Sequence, residues 1–329
     1  MCTRFVYQGP EGRVLTARSM DWLVDTGSNL WRFPRGLERD GAAGERSVRW
    51  ASKYGSIVAS AYEVASTDGM NEAGVVANVL WLAESEYPQA DDTSPVLSVA
   101  AWAQYALDNF ATVAEAVAAL EAEPFAVGTA QVPDQDRLTT LHLSLSDDSG
   151  DCAIFEYLDG HLVVHHDRRH QVMTNSPPFD AQLAVSSYWD DIGGTVMLPG
   201  TNRAADRFVR ARFYVGAIPQ VEDRAQATAS VFGVIRNASV PLGISTPDEP
   251  NISSTLWRTV ADHKDRRYYY ESVLSPSVVW VDLDEVDFSP GTPSGRLDLR
   301  ALHDSGRAGD VSAEFADCEP FGFASVAPA

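Results

Sequence analysis

The chain begins with MCTRFVYQGPEGRVLTARSMDW, residues 1–22. Cys2 directly follows the initiator methionine, and its small side chain allows that methionine to be removed. Removal leaves a free α-amino group and a thiol on one residue. An α-amine titrates near ~8, far below a lysine amine, so it is able to act as general base for the thiol beside it without a histidine. The segment therefore predicts an N-terminal nucleophile.

Two charged residues in the same segment suit this chemistry. Arg18 supplies a cation that can steady the thiolate, the nucleophilic form of cysteine. Asp21 supplies a carboxylate that can hold the ammonium form of the terminus. The β-favouring runs 3–7 and 13–17 flank a Gly- and Pro-containing turn, which predicts a hairpin with Cys2 at its leading end. The alternative is that Cys2 is a small buried hydrophobic residue near the terminus.

Composition excludes several classes of protein. The chain has 329 residues, of which 45% are hydrophobic and 22% charged, as is ordinary for a globular protein. Its formal charge of −21 argues against nucleic acid or an anionic membrane as a partner. No apolar run is long enough to span a membrane and no apolar leader precedes Cys2, so we expect a cytoplasmic protein. Without a repeat or a clear linker, we predict one domain over residues 1–329.

Strand and helix patterns alternate along the chain. A helix is predicted to begin with Ser94 as its N-cap and to run through Leu107, and a second begins at Thr112, which forms a capping box with Glu115. The last ~25 residues are expected to be loosely ordered. The alternation predicts antiparallel sheets covered by helices, an α+β layered protein. The further strand patterns are 56–63, 75–82, 139–145, 153–157, 161–165, 253–260, 267–273 and 278–281, and the further helical patterns are 180–188, 202–215 and 225–234.

Other kinds of catalytic site find no support in the sequence. The histidines at positions 161, 165, 166 and 170 match no standard zinc spacing, and adjacent histidines on a strand point to opposite faces. We interpret these four as surface residues. No Gly-x-Ser-x-Gly elbow and no nucleotide-binding glycine motif is present. We therefore predict no metal and no cofactor.

The motifs along the chain resemble the choloylglycine hydrolase family. These are N-terminal-nucleophile amidases that include penicillin V acylases, bile salt hydrolases and acyl-homoserine-lactone acylases, and the residues Cys2, Arg18 and Asp21 resemble their start. The segment MTNSPPFD, residues 173–180, is similar to the family's Thr-Asn-Ser-Pro segment. The resemblance gives Asn175 a role beside the oxyanion. Arg207 matches the family's active-site arginine, although an aspartate precedes it where the family has serine.

The resemblance is closest to one branch of this family. Ten residues beyond Asn71, bile salt hydrolases carry asparagine and many Gram-positive penicillin V acylases carry tyrosine, whereas this chain has Trp81. Together with Trp22, it resembles the Gram-negative-type penicillin V acylases, whose members also deacylate acyl-homoserine lactones. A tryptophan has no side-chain amide, so any oxyanion donor at that position must be a backbone group. Trp22, Leu23, Trp81 and Leu82 are predicted to line an apolar acyl pocket, with burial in the sheet core as the alternative.

The resemblance implies a four-layer αββα sandwich of the N-terminal-nucleophile hydrolase type. It implies an amidase that cleaves a linear amide of the penicillin V or acyl-homoserine-lactone type through an acyl thioester. The partner is a small-molecule amide, and a homo-oligomer, a tetramer by resemblance, is possible. A bile salt hydrolase and a non-catalytic binding relative with the same fold remain as alternatives. The predicted catalytic residues are Cys2, Arg18, Asp21, Asn175 and Arg207.

Overall fold

A computed structural model describes residues 1–89, 93–247 and 252–328. The strands in chain order are β1 (Cys2–Gln8), β2 (Val14–Trp22), β3 (Leu30–Phe33), β4 (Glu38–Asp40), β5 (Arg49–Ala51), β6 (Ser56–Ala61), β7 (Ala65–Asn71), β8 (Val76–Trp81), β9 (Val96–Ser98), β10 (Ala126–Gly128), β11 (Leu141–Ser146), β12 (Cys152–Leu158), β13 (His161–His166), β14 (Val172–Met173), β15 (Ser254–Asp262), β16 (Arg267–Ser272), β17 (Val278–Asp282), β18 (Gly295–Leu297), β19 (Gly309–Asp310) and β20 (Ala316–Asp317). The α-helices are α1 (Trp102–Asn109), α2 (Val113–Leu120), α3 (Phe179–Ile192), α4 (Ala204–Ala217), α5 (Arg224–Asn237) and α6 (Leu299–Asp304). Short 3₁₀ turns span Gly44–Arg46, Val99–Ala101 and Leu283–Glu285.

Two large sheets form the centre of the molecule. The seven-stranded sheet has the order β14-β1-β2-β15-β16-β17-β19, and the nine-stranded sheet has the order β13-β12-β11-β8-β7-β6-β3-β18-β20. Buried apolar residues from both sheets, such as Met20 and Ile57, share one core cluster. Helices α4 and α5 pack on the seven-stranded sheet, while α1 and α2 pack on the nine-stranded sheet. The predicted α+β sandwich with αββα layers is confirmed.

The predicted N-terminal hairpin lies at the centre of the seven-stranded sheet. Strands β1 and β2 pair antiparallel with Cys2 opposite Met20 and Arg4 opposite Arg18. Both strands are longer than the patterns indicated, so Cys2 itself belongs to β1. Strand β15 pairs along the length of β2, whereas β14 pairs with β1 at Arg4 and Phe5, so neither strand of the hairpin is an edge strand.

Strand alternation gives the two faces of β1 different neighbours. Arg4 points toward the nine-stranded sheet, where its Nη2 donates to the carbonyl of Leu145, 3.2 Å away. Tyr7 points toward the helices, and its hydroxyl donates to the carbonyl of Pro219, 3.1 Å away. Since alternate residues share a face, the side chain of Cys2 lies on the same side as Arg4, between the sheets.

The predicted start of the first helix, at Ser94, is wrong. Residues Val96–Ser98 form β9, which pairs in parallel with β10, and α1 begins only at Trp102. The hydroxyl of Ser98 accepts a hydrogen bond from the Ala100 amide and caps the 3₁₀ turn before α1. Pairing with a distant strand therefore overrides the local helix signal. The predicted cap at Thr112 is confirmed, because its hydroxyl accepts a hydrogen bond from the Glu115 amide.

The expectation of a loosely ordered C-terminus is also wrong. The ring of Phe321 packs edge-on against Trp31, with 5.0 Å between ring centroids. The amide of Val326 donates to the carbonyl of Ala42 at 2.9 Å. Apolar side chains dispersed along this polar segment thus fasten it to the nine-stranded sheet. In the part of the chain that the structure describes, no helix is both long enough and apolar enough to cross a membrane.

Candidate active site

Cys2 lies at the first position of β1 and is 4% exposed. Its Sγ is 3.5 Å from Nη2 of Arg18 and 3.9 Å from Sδ of Met20. The hairpin register explains this grouping, because Met20 lies directly opposite Cys2 and Arg18 lies two residues earlier on the same face. A permanently charged guanidinium therefore lies directly beside the sulfur of Cys2.

The guanidinium of Arg18 is held by contacts with both sheets. Its Nη2 donates to the carbonyl of Val79 in β8 at 3.3 Å, and its Cζ lies 4.5 Å from the ring centroid of Trp257 in β15. Arg18 is 1% exposed. The cation is therefore fixed between the sheets and is removed from the screening effect of solvent.

The backbone of Cys2 is held by two distant residues. Its N–H donates to Oδ1 of Asn175 at 2.7 Å, and its carbonyl accepts from Nη1 of Arg207 at 2.5 Å. Arg207 also donates through Nη2 to Oδ1 of Asn175 at 2.8 Å, so the three residues close a ring of hydrogen bonds. Asn175 follows β14, and Arg207 lies in the first turn of α4. Strand β1 and the helix layer thus position the terminus together.

Asp21 is a buried carboxylate on the helix side of the same strand pair. Its Oδ1 accepts a hydrogen bond from the hydroxyl of Thr255 at 2.6 Å, whereas its Oδ2 has no hydrogen-bond partner among the described residues. Nη1 of Arg207 is 3.7 Å from Oδ2. The amino group of Met1 donates to the main-chain oxygen of Asp21 at 2.7 Å, and burial lowers the pKa of this amino group. A carboxylate oxygen with spare accepting capacity therefore lies close to the chain terminus.

An apolar cavity with about 730 Å³ of empty space, including its open mouth, adjoins the sulfur of Cys2. The rings of Trp22 and Trp81 meet in its wall, with 5.3 Å between centroids and a tilt of 42°. Leu23 and Leu82 are not among the described residues that line the cavity, and Leu82 is fully buried elsewhere. The lining residues are Cys2, Arg18, Met20, Trp22, Thr26, Ala61, Tyr62, Val64, Ala65, Ser66, Thr67, Val79, Trp81, Val99, Ala100, Ala130, Gln131, Val132, Pro133, Thr139, Leu141 and Ala324.

The amide side chain of Asn175 also contacts the strand that carries Trp81. Its Nδ2 donates to the carbonyl of Trp81 at 2.6 Å, which uses one of the two N–H groups on that nitrogen. The backbone N–H of Leu82 donates to the carbonyl of Thr140 at 3.0 Å and is therefore already engaged. The second N–H of Nδ2 has no hydrogen-bond partner among the described residues.

The structure thus brings together the five residues predicted to be catalytic. It separates the four predicted pocket residues, because the two tryptophans reach the cavity and the two leucines do not. Leu23 and Leu82 each follow a tryptophan directly, so strand alternation turns the leucine to the opposite face. Their prediction as pocket residues was therefore wrong.

A buried network behind Asn175 was missed in the sequence. Glu156 of β12 lies 2.9 Å from Nδ1 of His142 and 3.3 Å from Nε2 of His165. Nε2 of His142 lies 3.0 Å from the carbonyl of Thr174, the residue before Asn175. His142 therefore links Glu156 to the segment that leads into Asn175.

The side chain of His165 is only 10% exposed, so its interpretation as a surface residue was wrong. His165 and His166 are neighbours on β13 and point to opposite faces of the strand, and His166 is the more exposed of the two. This alternation in the sequence could have indicated that one of the two histidines is buried. The network also supports the functional site, because His142 fastens the segment that leads into Asn175.

Comparisons with known proteins identify the family of this chain. A family model described as linear amide C–N hydrolases, choloylglycine hydrolase family, matches residues 2–299. A penicillin V acylase from Pectobacterium atrosepticum is 55% identical over 347 aligned residues, which cover 99% of this chain and 92% of that protein. The solved structure of penicillin V acylase from Agrobacterium tumefaciens is 60% identical, with a TM-score of 0.92 over 98% of this chain and 100% of the other.

A more distant solved structure shares the fold. The conjugated bile acid hydrolase from Clostridium perfringens, solved as a mutant, matches with a TM-score of 0.76 at 21% identity. The match covers 90% of this chain and 96% of the other. This likeness concerns the architecture alone.

The network behind Asn175 predicts a specific dependence of stability on pH. Burial opposes ionisation of Glu156, but hydrogen bonds from His142 and His165 outweigh it and lower the pKa of Glu156 from 4.5 to about 2. Because this pKa is lower in the folded chain, the stabilisation is complete above pH 4.5 and is lost as the pH falls through about 2. Through this group the wild-type protein should lose on the order of 3 kcal/mol of unfolding free energy as the pH falls across this window. Glu156→Gln has no titrating group at this position, so we expect this part of the loss to be absent from the variant.

Denaturant unfolding at a series of pH values measures this effect. Glu121→Gln, at the exposed residue that directly follows α2, serves as the matched control, because it removes the same charge without a buried partner. Curves for wild type and Glu156→Gln that run parallel between pH 4.5 and 2 would contradict the assignment.

Proposed function

We propose that this protein, which belongs to the choloylglycine hydrolase family of linear amide C–N hydrolases, cleaves amides of the penicillin V or acyl-homoserine-lactone type with Cys2 as nucleophile. One observation carries the proposal. The sulfur of Cys2 lines an apolar cavity 3.5 Å from Arg18, while the nitrogen of the same residue lies 2.7 Å from Oδ1 of Asn175. A nucleophile, a fixed cation and an anchored base then belong to one site.

Activation begins with the loss of Met1, which converts the amide nitrogen of Cys2 into an amine. Oδ1 of Asn175 accepts a hydrogen bond from this nitrogen and so fixes its orientation. The amine takes the proton of the thiol. The resulting ammonium group needs a negative partner, and Oδ2 of Asp21 is buried nearby with no hydrogen bond of its own. Arg18 balances the thiolate that forms at the same moment.

The reaction then proceeds in two halves. The thiolate adds to the carbonyl carbon of the amide, and the carbonyl π electrons move to oxygen. The tetrahedral intermediate collapses with cleavage of the C–N bond, and the leaving amine takes the proton from the ammonium group of Cys2. Water next adds to the acyl thioester with the Cys2 amine as base, which releases the carboxylic acid and restores the thiol.

Asn175 is the group proposed to stabilise the oxyanion. One N–H of its Nδ2 is held by the carbonyl of Trp81, and the second is available to the developing negative charge. Its carbonyl oxygen is fixed by Cys2 and Arg207, so the amide cannot rotate freely. A donor oriented before the reaction begins needs no reorganisation in the transition state, which is what makes such groups effective.

The cavity supports an apolar acyl group. Trp22 and Trp81 offer two broad ring faces, and their indole N–H groups are the chief polar features of those side chains. The indole N–H of Trp22 is already bonded to the hydroxyl of Tyr62 at 2.9 Å. A flat apolar slot suits a phenoxyacetyl group or a straight acyl chain better than a bulky steroid. This supports the penicillin V or lactone type of substrate over a bile salt.

The function is tested with a panel of penicillin V, a medium-to-long acyl-homoserine lactone and glycocholate, scored by released amine. We expect turnover of penicillin V or the lactone and weak or no turnover of glycocholate, because the acyl slot is apolar and has two flat indole rings in its wall. Cys2→Ala is the control for contaminating activity. Fastest turnover of glycocholate would favour a bile salt hydrolase, and saturable binding without turnover would favour a non-catalytic relative.

A second test concerns the oxyanion donor. We expect Asn175→Ala to lower kcat on the order of 10²–10³-fold, because the interaction strengthens only as negative charge develops on the substrate oxygen. The variant Asn237→Ala, at an exposed position at the end of α5, controls for loss of an amide side chain. Thermal melts should show both variants folded, and an effect on KM alone would assign Asn175 to substrate binding instead.

A further inference from the structure

A short loop beside the cavity carries an arginine that the proposed mechanism does not use. Residues 131–138 fold back on themselves, with a bridge between Gln131 and Leu138 and a hydrogen bond of 2.9 Å from the Val132 amide to the carbonyl of Arg137. Val132 is 5% exposed and belongs to the core cluster between the sheets, so the base of the loop is anchored. Gln131, Val132 and Pro133 line the cavity. The loop therefore forms part of the wall that a substrate meets.

Arg137 lies over the two tryptophans of this cavity. Its Cζ is 3.8 Å from the ring centroid of Trp81 and 5.8 Å from that of Trp22. At this distance the guanidinium packs against the ring of Trp81 as a cation–π pair. Stacking of this kind uses the face of the cation and leaves the N–H groups along its edge free to donate.

The edge of this guanidinium has no acceptor within the protein. Within residues 1–89, 93–247 and 252–328, Arg137 forms no ion pair and donates no hydrogen bond, although the residue is exposed. Arg13, by contrast, is paired with Asp262 at 2.8 Å and with Asp265 at 2.9 Å. In a chain with a formal charge of −21, Arg137 is an exposed cation beside the cavity without an ion-pair partner among the described residues, on a loop that also carries the exposed Asp134 and Asp136.

Trp81 links this cation to the reacting centre. Its carbonyl accepts the hydrogen bond from Nδ2 of Asn175, and its ring supports the guanidinium of Arg137. A substrate whose acyl group fills the cavity, with its amide at Cys2 and Asn175, has its leaving amine outside the acyl slot. An acidic group on that amine would find in the edge of Arg137 a cation that forms no ion pair with any described residue.

We propose that Arg137 is a specificity-determining residue that binds a carboxylate on the leaving amine of the substrate. The inference rests on the proposed function and deepens it. The enzyme then prefers acyl amides whose leaving amine is anionic, as in penicillin V, over those with a neutral leaving amine, as in an acyl-homoserine lactone. A guanidinium recognises a carboxylate through paired N–H donors, so the preference depends on the charge and not on the acyl group.

The test compares penicillin V with its methyl ester, which has the same acyl group and no carboxylate. For Arg137→Gln we expect KM for penicillin V to rise about tenfold with little change in kcat, because one exposed charge-assisted hydrogen-bond pair is lost. The ester should be cleaved equally well by both proteins, and Arg137→Lys should recover part of the loss. Arg300→Gln on the exposed surface of α6 is the matched control for removal of one positive charge.

Equal losses on the acid and the ester would overturn the proposal, because Arg137 would then only shape the acyl slot through Trp81. Unchanged kinetics on both substrates would overturn it as well.

A second measurement separates this proposal from the proposed function. Calorimetric binding of aminopenicillanate, the amine released from penicillin V, does not require turnover. If the wild type cleaves neither substrate yet binds aminopenicillanate more tightly than Arg137→Gln does, the catalytic proposal fails and the carboxylate site stands. If the substrates are cleaved but both proteins bind aminopenicillanate and its methyl ester alike, the carboxylate site fails and the catalytic proposal stands.

Discussion

The architecture depends on burial of the start of the chain in the middle of a sheet. Cys2 is 4% exposed, so its backbone groups must find partners that replace water. Asn175 accepts from its N–H, and Arg207 donates to its carbonyl. The buried guanidinium of Arg207 in turn needs a negative charge, which the carboxylate of Asp21 supplies at 3.7 Å. The contacts that seat the terminus therefore also assemble the proposed catalytic group.

The pleat of the hairpin β1–β2 directs its charged side chains to two different faces of the sheet. Arg18 points between the sheets, where it meets the sulfur of Cys2 and the carbonyl of Val79. Asp21, three residues later, points to the helix layer and meets Arg207. Only the first residue of the strand reaches both sides, because its side chain enters the cavity while its nitrogen lies at the strand end. This placement is the physical basis for the proposal that one residue supplies both the nucleophile and its base.

The sequence alone predicted the parts of the site that are local. The hairpin places Arg18 beside Cys2 through short-range pairing, so residues 1–22 sufficed. Asn175 and Arg207 lie far along the chain, and only the resemblance to a family indicated them. Strand β9, the packed C-terminus and the buried pair of His142 and Glu156 depend on partners distant in sequence. Local sequence patterns do not indicate which distant residues pair, so these features could be identified only from the structure.

The central claim is that Cys2, freed of Met1, carries the acyl group. Intact mass and peptide mapping of protein quenched in acid during turnover of a phenoxyacetyl amide test this most directly. The account predicts a chain that begins at Cys2 and bears one phenoxyacetyl group in a thioester on the N-terminal peptide, removable by hydroxylamine. A fully active protein that retains Met1, or an acyl group on Cys152 or Cys318 instead, would contradict it.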